Sequence, residues 1–182
     1  MAFITLPTDA PGIRGPMNFR PDAAQHLLGL AETILRAPAS LSQAERETIA
    51  TWTSHLNGCK FCTKSHAAAA RAWLGIERSA DLDHLLATGD ARRFGVKMEA
   101  LIQICTALQS CVLGVKPEHI ERARAAGASD ADIHDTVLIT AAFCMYNRYV
   151  EGLGTHEPAE DAYEPMGRML KEHGYAARSA AS

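Results

Sequence analysis

The sequence contains no uninterrupted apolar run of about 18 residues, so no stretch is long enough to form a membrane-spanning helix. It also lacks a basic stripe. Its 18 lysines and arginines are outnumbered by 21 acidic side chains, for a formal net charge of -3, and this gives no electrostatic footing for nucleic acid or an anionic membrane surface. Aromatic residues are few, at 6%, β-branched runs are scarce, and no period-two alternation of the kind a half-buried strand needs survives anywhere. Alanine is abundant instead, which favours helix, so the expected fold is all-α. The first residues carry no basic segment followed by an apolar one, which predicts no secretory leader and a cytoplasmic protein. Five cysteines in such a chain do not make a disulfide framework. In a reducing compartment a C-x-x-C is catalytic, redox-active or metal-binding more often than structural.

What is present is a run of capped helical segments. At 182 residues the chain is long enough to bury one core without staples. Residues 1–20 hold Pro7, Pro11, Gly12, Gly15 and Pro16 and are expected to form an extended arm, ahead of a single helical domain over 21–175. Pro21-Asp22 opens a helix that Pro38 stops. Ser42 with Glu45 three residues on is a capping box that launches a second helix, ended by Asn57-Gly58. A third helix carries the C-x-x-C and an alanine run to about Gly75. Shorter and longer helices follow over 79–86, 96–113, 117–126, 130–152 and 159–173, the fifth-to-last closed by Gly89 and the 130–152 helix launched by Ser129 and Asp132. This makes about seven to eight helices, with a loose alanine-rich tail. The passage of Ser129 into Phe143-Cys144 faintly echoes that of Ser42 into Cys59, as in a duplicated helical hairpin. Trp52, Trp73, Cys105, Cys111 and Cys144 are expected in the core, and His134 on a polar face.

The chemistry concentrates in Cys59-Lys-Phe-Cys62-Thr-Lys-Ser-His66, a C-x-x-C-x-x-x-H that falls on one helix face. A thiol becomes a better nucleophile at a helix N-terminus or beside a cationic histidine, because either stabilises the thiolate. Gly58 breaks the chain just before Cys59, and His66 lies one turn beyond Cys62, within reach as a base. From the residues alone either cysteine qualifies as the nucleophile: Cys59 is nearer the helix start, Cys62 nearer the histidine. The pair can close a disulfide. Zinc is the competing use, but it needs a fourth ligand, and three on one helix suit a tetrahedral site poorly. Glu47 on the preceding helix is a candidate partner for His66, although spacing does not separate it from Glu45. Tyr146, Asn147, Arg148 and Tyr149 either line the site or pack helices.

These residues carry a family resemblance. Glu47, eleven intervening residues, then Cys59-x-x-Cys62-x-x-x-His66 resembles the signature of the AhpD-like alkylhydroperoxidases in the carboxymuconolactone decarboxylase superfamily. Leu56-Asn-Gly-Cys-x-Phe-Cys62 and the run Ala141-Ala-Phe-Cys-Met-Tyr-Asn-Arg-Tyr-Val-Glu-Gly152 resemble its peroxidase-related branch, and the similarity covers about residues 20–170. The resemblance implies an AhpD-like helical bundle assembling as a homo-oligomer (dimer, trimer or hexamer). It implies a thiol peroxidase for organic or hydrogen peroxides that needs no metal or organic cofactor, only an external dithiol reductant. By the family pattern Cys62 attacks the peroxide, Cys59 resolves the sulfenic acid, and His66 with Glu47 relays protons. One position departs: the well-studied members carry a histidine immediately before the second cysteine, where this chain has Phe61. His55 is then either a substitute or a surface residue. Decarboxylase members lack the paired cysteines, which disfavours that activity; a redox-sensing or zinc-binding scaffold is the non-catalytic alternative.

Overall fold

The computed structural model describes residues 2–176, and within them every regular element is helical. Nine α-helices run in order as α1 (Arg14–Phe19), α2 (Pro21–Arg36), α3 (Gln43–Leu56), α4 (Lys60–Leu74), α5 (Ile76–Thr88), α6 (Val96–Ser110), α7 (Pro117–Ala125), α8 (Asp130–Glu151) and α9 (Tyr163–His173). The all-α expectation holds, and both capping boxes form as read, Ser42 with Glu45 and Ser129 with Asp132.

α3 is the helix around which the others are laid. From Arg46 to Ser54 every residue is buried, so it has no solvent face. A helix buried all round is ordinarily apolar, yet this one holds Thr48, Thr51, Thr53 and Ser54. Their hydroxyls are satisfied locally, each donating to the carbonyl four residues back, on Ala44, Glu47, Ile49 and Ala50. The Arg46 guanidinium, also buried, donates to the carbonyls of Ile34 and Ala37 and so closes the end of α2. These bonds satisfy the hydroxyls inside α3 and leave Glu47 as the carboxylate it delivers to the interior.

α4 packs against α3 as the second arm of a helical hairpin, with α9 on its other side and α8 and α6 across α3. The α4–α9 approach is close enough that a Cβ on Gly167 would run into the backbone of Ala68. α2 and α1 are tied to α8 by two phenols: Tyr146 donates to the Leu27 carbonyl at 2.7 Å and Tyr149 to that of Pro16 at 3.1 Å.

Several expectations need correcting. The arm is not extended throughout, since residues 14–19 form α1. Pro16 sits in its first turn, where the missing N–H costs no bond, and Met17 buries beneath it. α6 ends at Ser110, not near Leu113. Val112 and Leu113 are 88% and 75% exposed, so no core contact exists to extend the helix. α5 is longer than 79–86: it begins at Ile76, in an exposed first turn that carries no apolar period to read, and its buried residues are Leu82 and Leu85. Cys111 is exposed and Cys144 half-buried, leaving Cys105 as the core thiol of the three. Trp73 is half-buried, its ring covered by Arg36 and Lys171. The proposed repeat also fails: α8 runs unbroken through Phe143-Cys144, with no glycine there to end it. Of the tail, Gly174 and Tyr175 are buried; residues 177–182 lie outside the described residues.

Candidate active site

The turn between α3 and α4 is where the site is built. Asn57 ends α3 and Gly58 takes φ 72°, a left-handed conformation that a side chain would strain. Cys59 is thereby the N-cap of α4, and Cys62 stands in its first turn, where the leading amides have no intrahelical partner. A polar cluster pins this turn. The Cys59 amide donates to the Ser54 carbonyl, Asn57 Nδ2 to Asn147 Oδ1 at 2.9 Å, and Asn147 Nδ2 to Ser54 Oγ at 3.0 Å. Asn147 is thus a site residue from α8, whereas Arg148 points outward and donates to the Cys144 carbonyl.

The two thiols are chemically unequal. Hydrogen bonding from Cys59 lowers the Cys62 pKa from its ordinary 9.0, against burial, with His66 and a hydrogen bond to Asn147 acting in the same direction. The partner thiol moves the other way: Cys59 is pushed up by the hydrogen bond it gives to Cys62 and by burial. Both are free thiols, so this is the reduced state of the pair.

His66 is held by the carboxylate that the resemblance indicated. Its Nδ1 lies 2.9 Å from Glu47 Oε2, with the Glu47 side chain 2% and the His66 side chain 12% exposed. A carboxylate accepts, so Nδ1 carries the proton of this bond, which leaves Nε2 as the nitrogen not engaged by Glu47. The ring also sits edge-on to Phe143 at 4.5 Å, which fixes its plane. Sequence reasoning missed the third member of this group. Tyr175 donates to Glu47 Oε1 at 2.6 Å and stands 3.2 Å from His66 Nδ1, stacked on the imidazole. Burial and Glu47 hold its phenol well above the usual pKa, so it stays protonated and donates. Glu32 fastens the segment by accepting the Tyr175 amide at 2.6 Å. The available signal was slight, a lone tyrosine beyond a helix-ending glycine.

A cavity of about 780 Å³ opens on this group, within the size range of small-molecule sites. Cys62, Ser65, His66 and Tyr175 line it from one side and Phe61, Phe143 and Tyr146 beside them; Cys59 does not reach it. The opposite wall is the N-terminal arm together with α2, including Ile13, Arg14, Met17, Leu27 and Leu28. Phe61 is therefore a wall residue. It is buried against Gly12 of the arm, with its ring 6.3 Å from that of Tyr163. His55 is exposed and stacked on Trp52, away from the cavity, and does not stand in for a second relay histidine. Among the described residues no group of three or more His, Cys, Asp or Glu side chains is gathered so as to hold a metal ion.

Comparison with known proteins agrees with this architecture. Residues 21–104 match the carboxymuconolactone decarboxylase family. The chain superposes with a TM-score of 0.76 on an uncharacterized peroxidase-related protein from Silicibacter sp. TM1040, at 22% identity over 87% of this chain and 81% of that one. An alkylhydroperoxidase AhpD core protein, peroxidase-related, from Ralstonia eutropha JMP134 gives the same TM-score of 0.76 at 23% identity, covering 87% and 82%. A protein of unknown function from Agrobacterium tumefaciens follows at 0.69 and 19%, covering 79% and 96%. No curated protein matches the chain. The matched segment contains Glu47, Cys59, Cys62 and His66, whereas the arm, Asn147 and Tyr175 lie outside it.

Proposed function

With residues 21–104 matching the carboxymuconolactone decarboxylase family and the chain adopting the AhpD-like fold, we propose that the protein is a thiol-dependent peroxidase working through a Cys59/Cys62 dithiol–disulfide cycle. The observation that carries the reading is that Cys62, and not Cys59, lines the cavity, and that Cys62 is also the thiol with the lowered pKa. Cavity access and the lowered pKa fall on the same cysteine, where spacing left the choice open.

In the proposed cycle His66 Nε2 takes the Cys62 proton, and the thiolate attacks the terminal peroxide oxygen. An S–O bond forms and the O–O bond breaks. The departing alkoxide takes the proton back from His66 and leaves as an alcohol, with Glu47 stabilising the transient imidazolium. Cys62 is now a sulfenic acid. Cys59 attacks its sulfur, the S–S bond forms, and hydroxide leaves as water with the Cys59 proton. An external dithiol supplies the two electrons that reopen the disulfide by exchange. The sum is one peroxide and one dithiol consumed, and one alcohol, one water and one disulfide produced. The high pKa of Cys59 suits a group that waits protonated until the sulfenic acid is made. Assembly as a homo-oligomer and an external dithiol as reductant are part of the same proposal.

Counting free thiols before and after one equivalent of cumene hydroperoxide tests it. The wild type is expected to lose two thiols per chain, and Cys62→Ser none from this pair. No loss in the wild type, or the same loss in Cys62→Ser, overturns the reading.

A further inference from the structure

The cavity is apolar apart from a few groups, and two of these carry a buried polar atom with no hydrogen-bond partner. Ser65 is 4% exposed, lies between Cys62 and His66 in sequence, and has a buried Oγ without a hydrogen-bond partner. Across from it, on the arm, Arg14 contributes the one lysine or arginine among the lining residues. Its buried Nε has no hydrogen-bond partner. No aspartate or glutamate lines the cavity to neutralise it. A guanidinium half-withdrawn from water without a counter-charge is costly unless something else supplies one. The body of the cavity meanwhile offers Met17, Leu27, Leu28 and Phe143, which recognise hydrocarbon and not charge.

Together these features describe the ligand that fits the cavity: an apolar body with one anionic end. Arg14 presents a planar fork that matches a carboxylate with two parallel bonds. A phosphate monoester, carrying about -1.5 to -2 at neutral pH, would need a second cation that the lining does not provide. We propose that the cavity binds carboxylate-bearing amphiphiles, fatty-acid hydroperoxides as the substrate class, with Arg14 of the N-terminal arm pairing the carboxylate and Ser65 Oγ donating to the oxygen functions near Cys62. The proposal rests on the peroxidase reading for the word substrate, but not for the word binds. It also gives the arm a role: residues 7–18 select the organic part of the peroxide, while α4 handles the O–O bond.

Binding of non-peroxide probes tests it without any turnover. Calorimetric titration of the wild type with dodecanoate and with dodecan-1-ol is expected to show the carboxylate bound about tenfold more tightly or better. In Arg14→Gln that preference should disappear through loss of dodecanoate affinity, and Arg14→Lys should keep part of it. Equal binding of the two probes by the wild type, binding of neither, or an undiminished preference in Arg14→Gln overturns the proposal. The comparison within the wild type decides the matter even if Arg14→Gln does not fold. Loss of peroxide-dependent thiol oxidation would sink the peroxidase reading and leave these titrations untouched.

Discussion

The two walls of the cavity are made in different ways. The reactive wall, from α3, α4 and Tyr175, is a hydrogen-bonded assembly in which the groups around the thiols are paired, Tyr175 to Glu47, Glu47 to His66, Cys59 to Cys62 and Asn147 to the turn, with Ser65 Oγ left over. The facing wall, from the arm and α2, is held by packing, by the Tyr146 and Tyr149 phenols on its carbonyls and by a few backbone bonds, such as the Gly12 amide to the His156 carbonyl at 2.9 Å and the Phe3 amide to that of Leu153 at 2.8 Å. Chemistry that moves protons needs fixed distances, and a buried hydrogen-bonded carboxylate supplies them. Recognition of a hydrocarbon needs only shape and exclusion of water. The difference teaches where each kind of damage should appear, with reaction rates sensitive on one side and arm order on the other.

The largest expected effect is on the reactive wall. Glu47→Gln keeps the volume but removes the charge that orients and supports His66. It should slow peroxide-dependent thiol loss by about 10² to 10⁴-fold, measured in single turnover by stopped flow. Phe61→Ala tests the other wall. Removing a ring packed on Gly12 and Tyr163 should cost about 3 kcal/mol of stability by chemical denaturation, with faster hydrogen exchange at the Gly12 amide. If Phe61→Ala left arm exchange as it was, the arm would not be held by packing and the contrast would fail. Tyr175→Phe should have the smallest effect. One donor to Glu47 is lost while the Glu47–His66 bond stays, giving about 1 to 2 kcal/mol in stability and a rate loss well short of that in Glu47→Gln. A Tyr175→Phe loss as large as the Glu47→Gln loss would make the phenol a proton carrier in its own right.

Much of the reactive wall was legible in the sequence because it depends on short spacings. A three-residue interval fixes Cys62 in the first turn once Gly58 ends the preceding helix, and a four-residue interval places His66 one turn on. The caps at Ser42 and Ser129 were readable for the same reason. Glu47 was distinguishable from Glu45 only through the family resemblance. Nothing in spacing says which side of α3 meets α4, and the structure separates them by giving Glu45 to the N-cap and Glu47 to the interior. Tyr175 was missed because its position depends on a contact 143 residues distant in sequence, the Glu32 carboxylate on its amide. The arm was misjudged because five prolines and glycines in twenty residues mask the short helix at 14–19. Phe61 is the instructive case. Set against the family pattern it is an absent histidine, whereas in the fold it is an aromatic that joins the two walls.

The central claim is that the cysteine facing the cavity is the one that meets the peroxide. Trapping the sulfenic acid tests it most directly: Cys59→Ser and Cys62→Ser are each treated with one equivalent of peroxide in the presence of dimedone, and the adduct is located by peptide mass spectrometry. The account predicts an adduct on Cys62 in Cys59→Ser and none on Cys59 in Cys62→Ser. An adduct on Cys59 in the absence of Cys62, formed as fast as the other, would contradict it.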